Sequence, residues 1–420
     1  MKSSLYLDRY AFGSRLIKEP SPADLGLVIV IPCYYEPELI KTLQSLINCT
    51  PTSEAVEVIV IVNQSESSTE DIKKYNIECL TSAQQWAANQ LQGPNIHLVM
   101  QTLPTKHAGV GLARKIGMDE AVRRFDDTGE DGIIACLDAD CTVSKNYLIG
   151  LMQHFRLNPG SPGCSIYYEH ALDGSDPADY YRAIAAYELH LRYYTHGLKS
   201  CGLPCAFQTV GSAMAVRSSA YQKQGGMNKR KAGEDFYFLQ KIIKLGNFTE
   251  LNQVVVFPAS RPSTRVPFGT GKAILDLLQQ GQEKWLTYHP STFEDLKQLV
   301  SSVDHLSQAS QLEAAKLWNT YPAGFQGYIP KKTFVDQIVQ INQKTSSTNS
   351  FRRRFFQWCD GFFAFKYANY ARDNHYPPLP ITEAASYLLK NFYGISLPSP
   401  QTKDLLMQFR ALDQRWQAMD

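Results

Sequence analysis

Residues 132–148 read GIIACLDADCTVSKNYL, an apolar run that delivers two aspartates, Asp138 and Asp140, separated by one alanine. The run has the length and content of a buried strand. In extended chain, residues i and i+2 turn to the same side, so the two carboxylates repel each other unless a cation or hydrogen-bond donors intervene. A hard divalent cation, Mg2+ or Mn2+, relieves that repulsion and can hold a diphosphate at the same time. Helix capping, or acceptance of nearby backbone N–H groups, is the alternative reading of the same pair.

Outward from this stretch, strands and helices alternate. LGLVIVIPCYY (25–35) predicts a first parallel strand ending at Pro32, and VEVIVIVNQS (56–65) and NIHLVMQT (95–102) predict two more. Glu38–Cys49 sets Leu39, Leu43, Leu46 and Ile47 on one helical face, and Val110–Phe125 predicts an amphipathic helix. SKNYLIGLMQHF (144–155) begins with a serine suited to capping. Strands separated by helices argue for an α/β fold with a mostly parallel central sheet flanked by helices. After Asn158 the pattern predicts strands in SPGCSIYYEH, FQTVGSAMAVRSSAY and ELNQVVVFPASRPS, and helices in Asp176–Gly202 and GEDFYFLQKIIKLG. Segments such as GKAILDLLQQ and FEDLKQLVSSVDHL predict a mainly helical C-terminal extension. The domain reading is an N-terminal extension (1–25), two halves of one α/β domain (26–155 and 156–270) and a helical region (271–420).

Charge and composition narrow the function classes. Lys+Arg total 42 against Asp+Glu 40, a net charge of +2, so no overall basic field favours nucleic acid and an anionic substrate needs a local site. The N-terminus has no apolar signal core and no stretch approaches 18 apolar residues, which predicts neither a signal peptide nor a membrane span. Nine cysteines lie scattered. CGLPC, Cys201 to Cys205, has neither the thioredoxin spacing nor a second pair for zinc. These features predict a cytoplasmic protein.

Ligands of parallel α/β sheets settle beyond the carboxyl ends of the strands. Polar stretches fall at such ends: PCYYEP (32–37), NQSES (63–67), DAD (138–140) and PASRPSTR (258–265), while GEDF (233–236) opens a helix. Together they predict one composite cleft. Glu234 and Asp235 at a helix start suit either dipole complementation or a general base. Arg114 and Lys115, in KHAGVGLARKIG (106–117), either face phosphates or lie solvated on a helix flank. That stretch lacks the dinucleotide fingerprint, and FGTGKAI (268–274) lacks the P-loop spacing.

Together the chain resembles the family 2 glycosyltransferases, nucleotide-sugar enzymes of the GT-A fold, over roughly residues 26–250. VIVIPCYYEP (28–37) is similar to the family's opening strand and nucleotide loop, which implies donor contacts from Pro32, Tyr34 and Glu36. GVGLARKIG (109–117) matches a segment whose arginine is Arg114. LDADCTV (137–143) resembles the Asp-X-Asp motif, implying Asp140 as a direct metal ligand and Asp138 at the ribose or the metal's water shell. GSAMAVRSSAYQKQGGMNKRKAGEDFYFLQKI (211–242) resembles the acceptor-side strand and Glu-Asp motif of inverting members, with Asp235 as catalytic base and Glu234 as its neighbour. Asn63 stands where the family carries a base-reading aspartate, and an amide can read a base edge as well. QEKW (282–285) lacks the arginine of the processive synthases' Gln-X-X-Arg-Trp, which favours single addition.

The resemblance implies a nucleotide-diphosphate sugar donor, Mn2+ or Mg2+, and an acceptor hydroxyl attacking the anomeric carbon while Asp235 takes its proton. Arg114, Arg261 and Arg265 would supply positive charge toward the phosphates. His190, Tyr193, Tyr194 and His196 are candidate acceptor contacts or core packing. Arg352–Tyr376, with basic and aromatic residues interleaved, is either a packed helix with solvated arginines, a peripheral membrane contact at the inner face of a membrane, or an acceptor lobe. A sugar-phosphate nucleotidyltransferase shares the sheet and acids but favours a glycine- and lysine-rich phosphate loop, which PCYYEP does not supply. A non-catalytic nucleotide- or glycan-binding module needs neither the metal pair nor Asp235.

Overall fold

The computed structural model describes residues 4–231, 233–261, 270–279 and 285–415. The chain divides into two compact units: Met1–Tyr181, Thr209–Leu275 and Leu412–Asp420 form the first, and Arg182–Gln208 with Asp276–Ala411 the second.

The first unit runs α1 (Leu5–Arg9), β1 (Leu25–Cys33), α2 (Leu39–Ile47), β2 (Ala55–Ser65), α3 (Glu70–Ala88), β3 (Asn95–Leu103), α4 (Val110–Thr128), β4 (Ile133–Cys136), β5 (Thr142–Val143), α5 (Tyr147–Leu157) and β6 (Gly163–Tyr168). Helix α6 (Ala178–Ser200) begins in this unit, which continues with β7 (Met214–Arg217), α7 (Ser218–Lys223), α8 (Glu234–Ile243), β8 (Thr249–Phe257) and the start of α9 (Thr270–Gln279). The strand order is β3-β2-β1-β4-β7-β6-β8-β5. β1 pairs parallel with β2 and β4, β2 with β3, and β6 with β8. β7 is antiparallel to both neighbours and β5 is antiparallel to β8. It follows that β1, β2, β3, β4, β6 and β8 all end at one edge of the sheet, and the chain entering β7 starts from that same edge. Both acid motifs are brought there by topology.

The central strands are buried almost end to end, as strands covered on both faces must be. β1 does not stop at Pro32 but pairs through Cys33. Val30 accepts from Leu137 N–H, so Pro32, two residues on, turns its missing N–H toward the side where β4 has already ended, and no ladder bond is lost.

Helix α4 corrects the expectation of an amphipathic helix, because every residue from Gly111 to Phe125 is buried. Its outer face is covered by the N-terminal segment. Asp119 accepts from Tyr6 Oη (2.6 Å) and Phe12 N (2.7 Å), and Glu120 from Leu16 N and Ile17 N. Arg123 donates to the Gly13 carbonyl and Arg124 to the Glu19 and Pro20 carbonyls. Helix α5 also departs from expectation: it starts at Tyr147, three residues after Ser144, whose hydroxyl bonds to Asn146 and Val255 N instead of capping.

The second unit holds the rest of α6, β9 (Leu286–Thr287), α10 (Ser291–Ser301), α11 (Val303–Leu306), α12 (Gln311–Trp318), α13 (Ala323–Tyr328), α14 (Lys331–Gln343), α15 (Thr348–Trp358), α16 (Gly361–Asn374), β10 (Leu379–Pro380), α17 (Ile381–Tyr393) and most of α18 (Thr402–Arg415). Its core is aromatic: Phe325, Phe334, Phe351, Phe355 and Tyr367 are fully buried. Arg352, Arg353 and Arg354 on α15 are exposed, so the interleaved segment packs its rings inward and leaves these arginines at the surface.

Candidate active site

The carboxyl edge of the sheet in the first unit carries the predicted acids on separate loops. Asp138 and Asp140 follow β4, their side chains 40% and 27% exposed. The core strand anchors them, and Thr42 of α2 pins the intervening Ala139 carbonyl at 2.8 Å. Glu36, after β1, is buried and receives Glu38 N–H at 2.8 Å together with an Arg261 guanidinium nitrogen. The same Arg261 nitrogen lies 4.0 Å from Asp140. The loops after β1, β4 and β8 therefore meet through one guanidinium.

A second cluster lies around Arg114, near the start of α4. Its guanidinium is only 2% exposed, donating to Asp138 at 2.6 Å through Nη2 and to Glu234 through Nη1. Arg114 thus neither faces open cleft nor lies solvated on a flank, and Lys115 is likewise buried, bonded to Asp119 and Tyr6. Burial opposes the charge on Arg114, but Asp138 and Glu234 outweigh it and hold the guanidinium protonated. Room for this arrangement comes from glycine. A Cβ on Gly211 would meet the Arg114 guanidinium at 2.9–3.1 Å, and one on Gly111 would strike the Arg230 carbonyl at 2.2 Å.

Asp235, in the first turn of α8, is half-buried. Its Oδ2 accepts Gly211 N–H at 3.0 Å and its Oδ1 accepts Phe236 N–H at 2.7 Å. Burial raises the Asp235 carboxyl above its ordinary value, with Arg114 and the backbone N–H groups opposing. Glu234 is raised for the same leading reason, again opposed by Arg114. A carboxylate fixed by two backbone donors, yet raised in proton affinity, has the properties required of a general base.

Other expected residues are placed differently. Asn63 is buried, with Nδ2 donating to the Cys33 carbonyl at 2.8 Å, and Asn76 bonds its carbonyl. Its donor group closes the ends of β1 and β2. Pro32 is buried within β1, and Tyr34 is half-buried on the loop that follows. Arg265 lies outside the described residues, as do Gln282, Glu283 and Lys284 of the QEKW stretch. In the second unit, His190 bonds Thr287, Tyr193 bonds the Tyr288 carbonyl, and His196 bonds Tyr393. Tyr194 packs against Tyr288 and Phe293. Tyr193 and His196 are buried and His190 and Tyr194 half-buried, and burial alone drops the His190 pKa to about 4. Gly211, Gly111 and the N-terminal segment over α4 were not legible as site elements. A cavity of about 570 Å3 lined by Ile17, Ala88, Pro94 and His97 lies at the opposite end of β3 and takes no part.

Among the described residues, no three His, Cys, Asp or Glu side chains converge as a metal cage. Mg2+ and Mn2+ in phosphate chemistry do not need one, since one or two carboxylates plus substrate phosphates complete the shell. Asp140, partly exposed beside Asp138, fits such a shared cation, while the bond from Arg114 leaves Asp138 the poorer direct ligand.

The mostly parallel sheet, with two acid motifs on diverging loops at its carboxyl edge, has a GT-A-like fold. A model of glycosyl transferase family 2 matches residues 28–222, and one of glycosyl transferase family group 2 matches residues 133–365, more than half the chain. The chain belongs to the family 2 glycosyltransferases and is an enzyme of that class. No curated protein matches it. Among solved structures, S. aureus TarS 1-349 with UDP-GlcNAc is 11% identical, covering 78% of this chain and 90% of that one at a TM-score of 0.41. The mannosyltransferase PcManGT from Pyrobaculum calidifontis, with GDP-Man and Mn2+, is 15% identical, covering 95% and 91% at 0.37. At those scores the family assignment rests on the family models alone. No helix among the described residues is long and apolar enough to cross a membrane.

Proposed function

We propose that this glycosyltransferase moves one sugar from a nucleotide-diphosphate donor to an acceptor hydroxyl with inversion, Asp235 acting as general base. The observation that carries this reading is the Asp235 carboxylate, oriented by Gly211 N–H and Phe236 N–H and raised in proton affinity, on the same sheet edge as Asp138 and Asp140. An acceptor hydroxyl beside Asp235 gives up its proton as its oxygen attacks the anomeric carbon. The bond from that carbon to the diphosphate breaks on the opposite face, which inverts the centre. A divalent cation held by Asp140 would supply the charge that stabilises the departing diphosphate. Arg261, already against Glu36 and 4.0 Å from Asp140, would add positive charge on that side. None of the nine cysteines is in a disulfide and eight are buried, which suits a reducing cytoplasm.

A calorimetric screen of UDP- and GDP-sugars, with and without Mn2+, tests this reading. At least one is expected to bind in a metal-dependent way and to be hydrolysed slowly. Absence of binding across the set would overturn it.

A further inference from the structure

We propose that Arg114 is a positioning residue that ties Asp138 on the donor side to the Glu234–Asp235 pair on the acceptor side, and not a ligand of the donor phosphates; this rests on Asp235 being the base. The two carboxylates it joins come from loops on different strands, Asp138 after β4 and Glu234 at the start of α8, 24 and 120 residues from Arg114 in the chain. One planar guanidinium spans both through separate nitrogens, a geometry that the single point charge of lysine cannot reproduce. To reach a phosphate, Arg114 would leave Glu234, itself 3% exposed, as a buried carboxylate without its cation.

The surroundings are shaped to this clamp. No side chain fits on Gly211, because its Cβ would lie 2.9–3.1 Å from the guanidinium, and Gly211 N–H is the group that holds Asp235 Oδ2 at 3.0 Å. The backbone that braces the proposed base therefore lies directly on the guanidinium that braces its neighbour. On the other side, a Cβ on Gly111 would meet Glu234 Cβ at 3.1 Å, so the bare backbone of α4 allows Glu234 to sit against the helix that carries Arg114. Arg114 thereby sets the spacing between the group that holds the donor and the group that takes the acceptor's proton.

The test compares wild type, Arg114→Lys, Arg114→Gln and Glu234→Gln. Binding is read by calorimetry with Mn2+–UDP and Mn2+–GDP. Turnover is read as hydrolysis of UDP-glucose, UDP-N-acetylglucosamine and GDP-mannose across pH, and folding by thermal melts. Arg114→Lys is expected to bind nucleotide within about threefold of wild type while kcat falls on the order of 100-fold, as for a misplaced reacting group. Arg114→Gln should move the acid limb of kcat upward, because Asp235 loses a nearby cation, and Glu234→Gln should move it downward, because Asp235 loses a nearby anion. If Arg114→Gln fails to fold, Arg114→Lys and Glu234→Gln still decide the matter. Nucleotide affinity falling in step with kcat, wild-type kcat in Arg114→Lys, or an unmoved acid limb in the folded variants would overturn the proposal. A wild type that binds neither nucleotide and hydrolyses no donor would overturn the proposed function, and this inference with it. That failure shows in the wild-type arm alone, so the two are told apart.

Discussion

Burial raises the Asp235 carboxyl above its ordinary value of 3.8, with Arg114 opposing, and the sign of that shift has two consequences. The folded state binds the proton more tightly than the unfolded chain does. Stability therefore falls as pH rises from the ordinary carboxylate range through the folded value, and at neutral pH the ionised group is a net cost. Asp235→Asn removes that cost, so the variant should resist urea better than wild type at pH 7, with the advantage vanishing below the ordinary range. The same variant should lose transfer by roughly 100- to 10,000-fold, the span of a lost general base. Wild-type activity in Asp235→Asn would remove the residue from the role. Asp138, Asp140, Glu234 and Asp235 were legible because each pair follows a local signal, an apolar strand or a glycine before a helix. The partners of Arg114 were not, because no periodicity links it to Glu234 120 residues away. The partner of the Asn63 amide was hidden for a related reason: local sequence does not show that β1 ends beside it and offers the Cys33 carbonyl.

Helix α4 is the element that links the site to the rest of the first unit. Its start carries Arg114, and its middle and end are held by the N-terminal segment through Asp119, Glu120, Arg123 and Arg124. Asp119 alone accepts from Tyr6, Phe12 N, Tyr221 and Lys115 while fully buried. Removing it strands a buried lysine and three donors, so Asp119→Ala should destabilise the protein by about 3–5 kcal/mol, measured by urea unfolding. A loss of under about 0.5 kcal/mol would place the site with ordinary surface positions. The pattern of α4 reads as a surface helix because its many charges look solvated. What the sequence hides is a cover from residues more than a hundred positions earlier, which offers backbone N–H and carbonyl partners to those charges.

At the scale of the whole molecule, the alternation of strands and helices made the α/β sheet and the helical C-terminal region legible. The reversed strand β7 was not, since a short buried run carries no mark of direction. In the second unit, Glu188 is fully buried and receives Arg192 at 2.9 Å and both Nε and Nη2 of Arg410 at 2.8 Å. This triad pins α18 to α6. Glu188→Ala leaves two buried guanidinium groups without their carboxylate and should cost about 3–5 kcal/mol, read as a lower thermal midpoint. An unchanged midpoint would show that the triad does not hold α18.

The claim that organises all three scales is a one-step displacement in which Asp235 takes the proton of the attacking hydroxyl. It is tested most directly by following, by proton NMR, the anomer released first when wild-type enzyme hydrolyses an α-linked sugar nucleotide in the presence of Mn2+. The account predicts the β-anomer, appearing before mutarotation and lost in Asp235→Asn; first release of the α-anomer would contradict it.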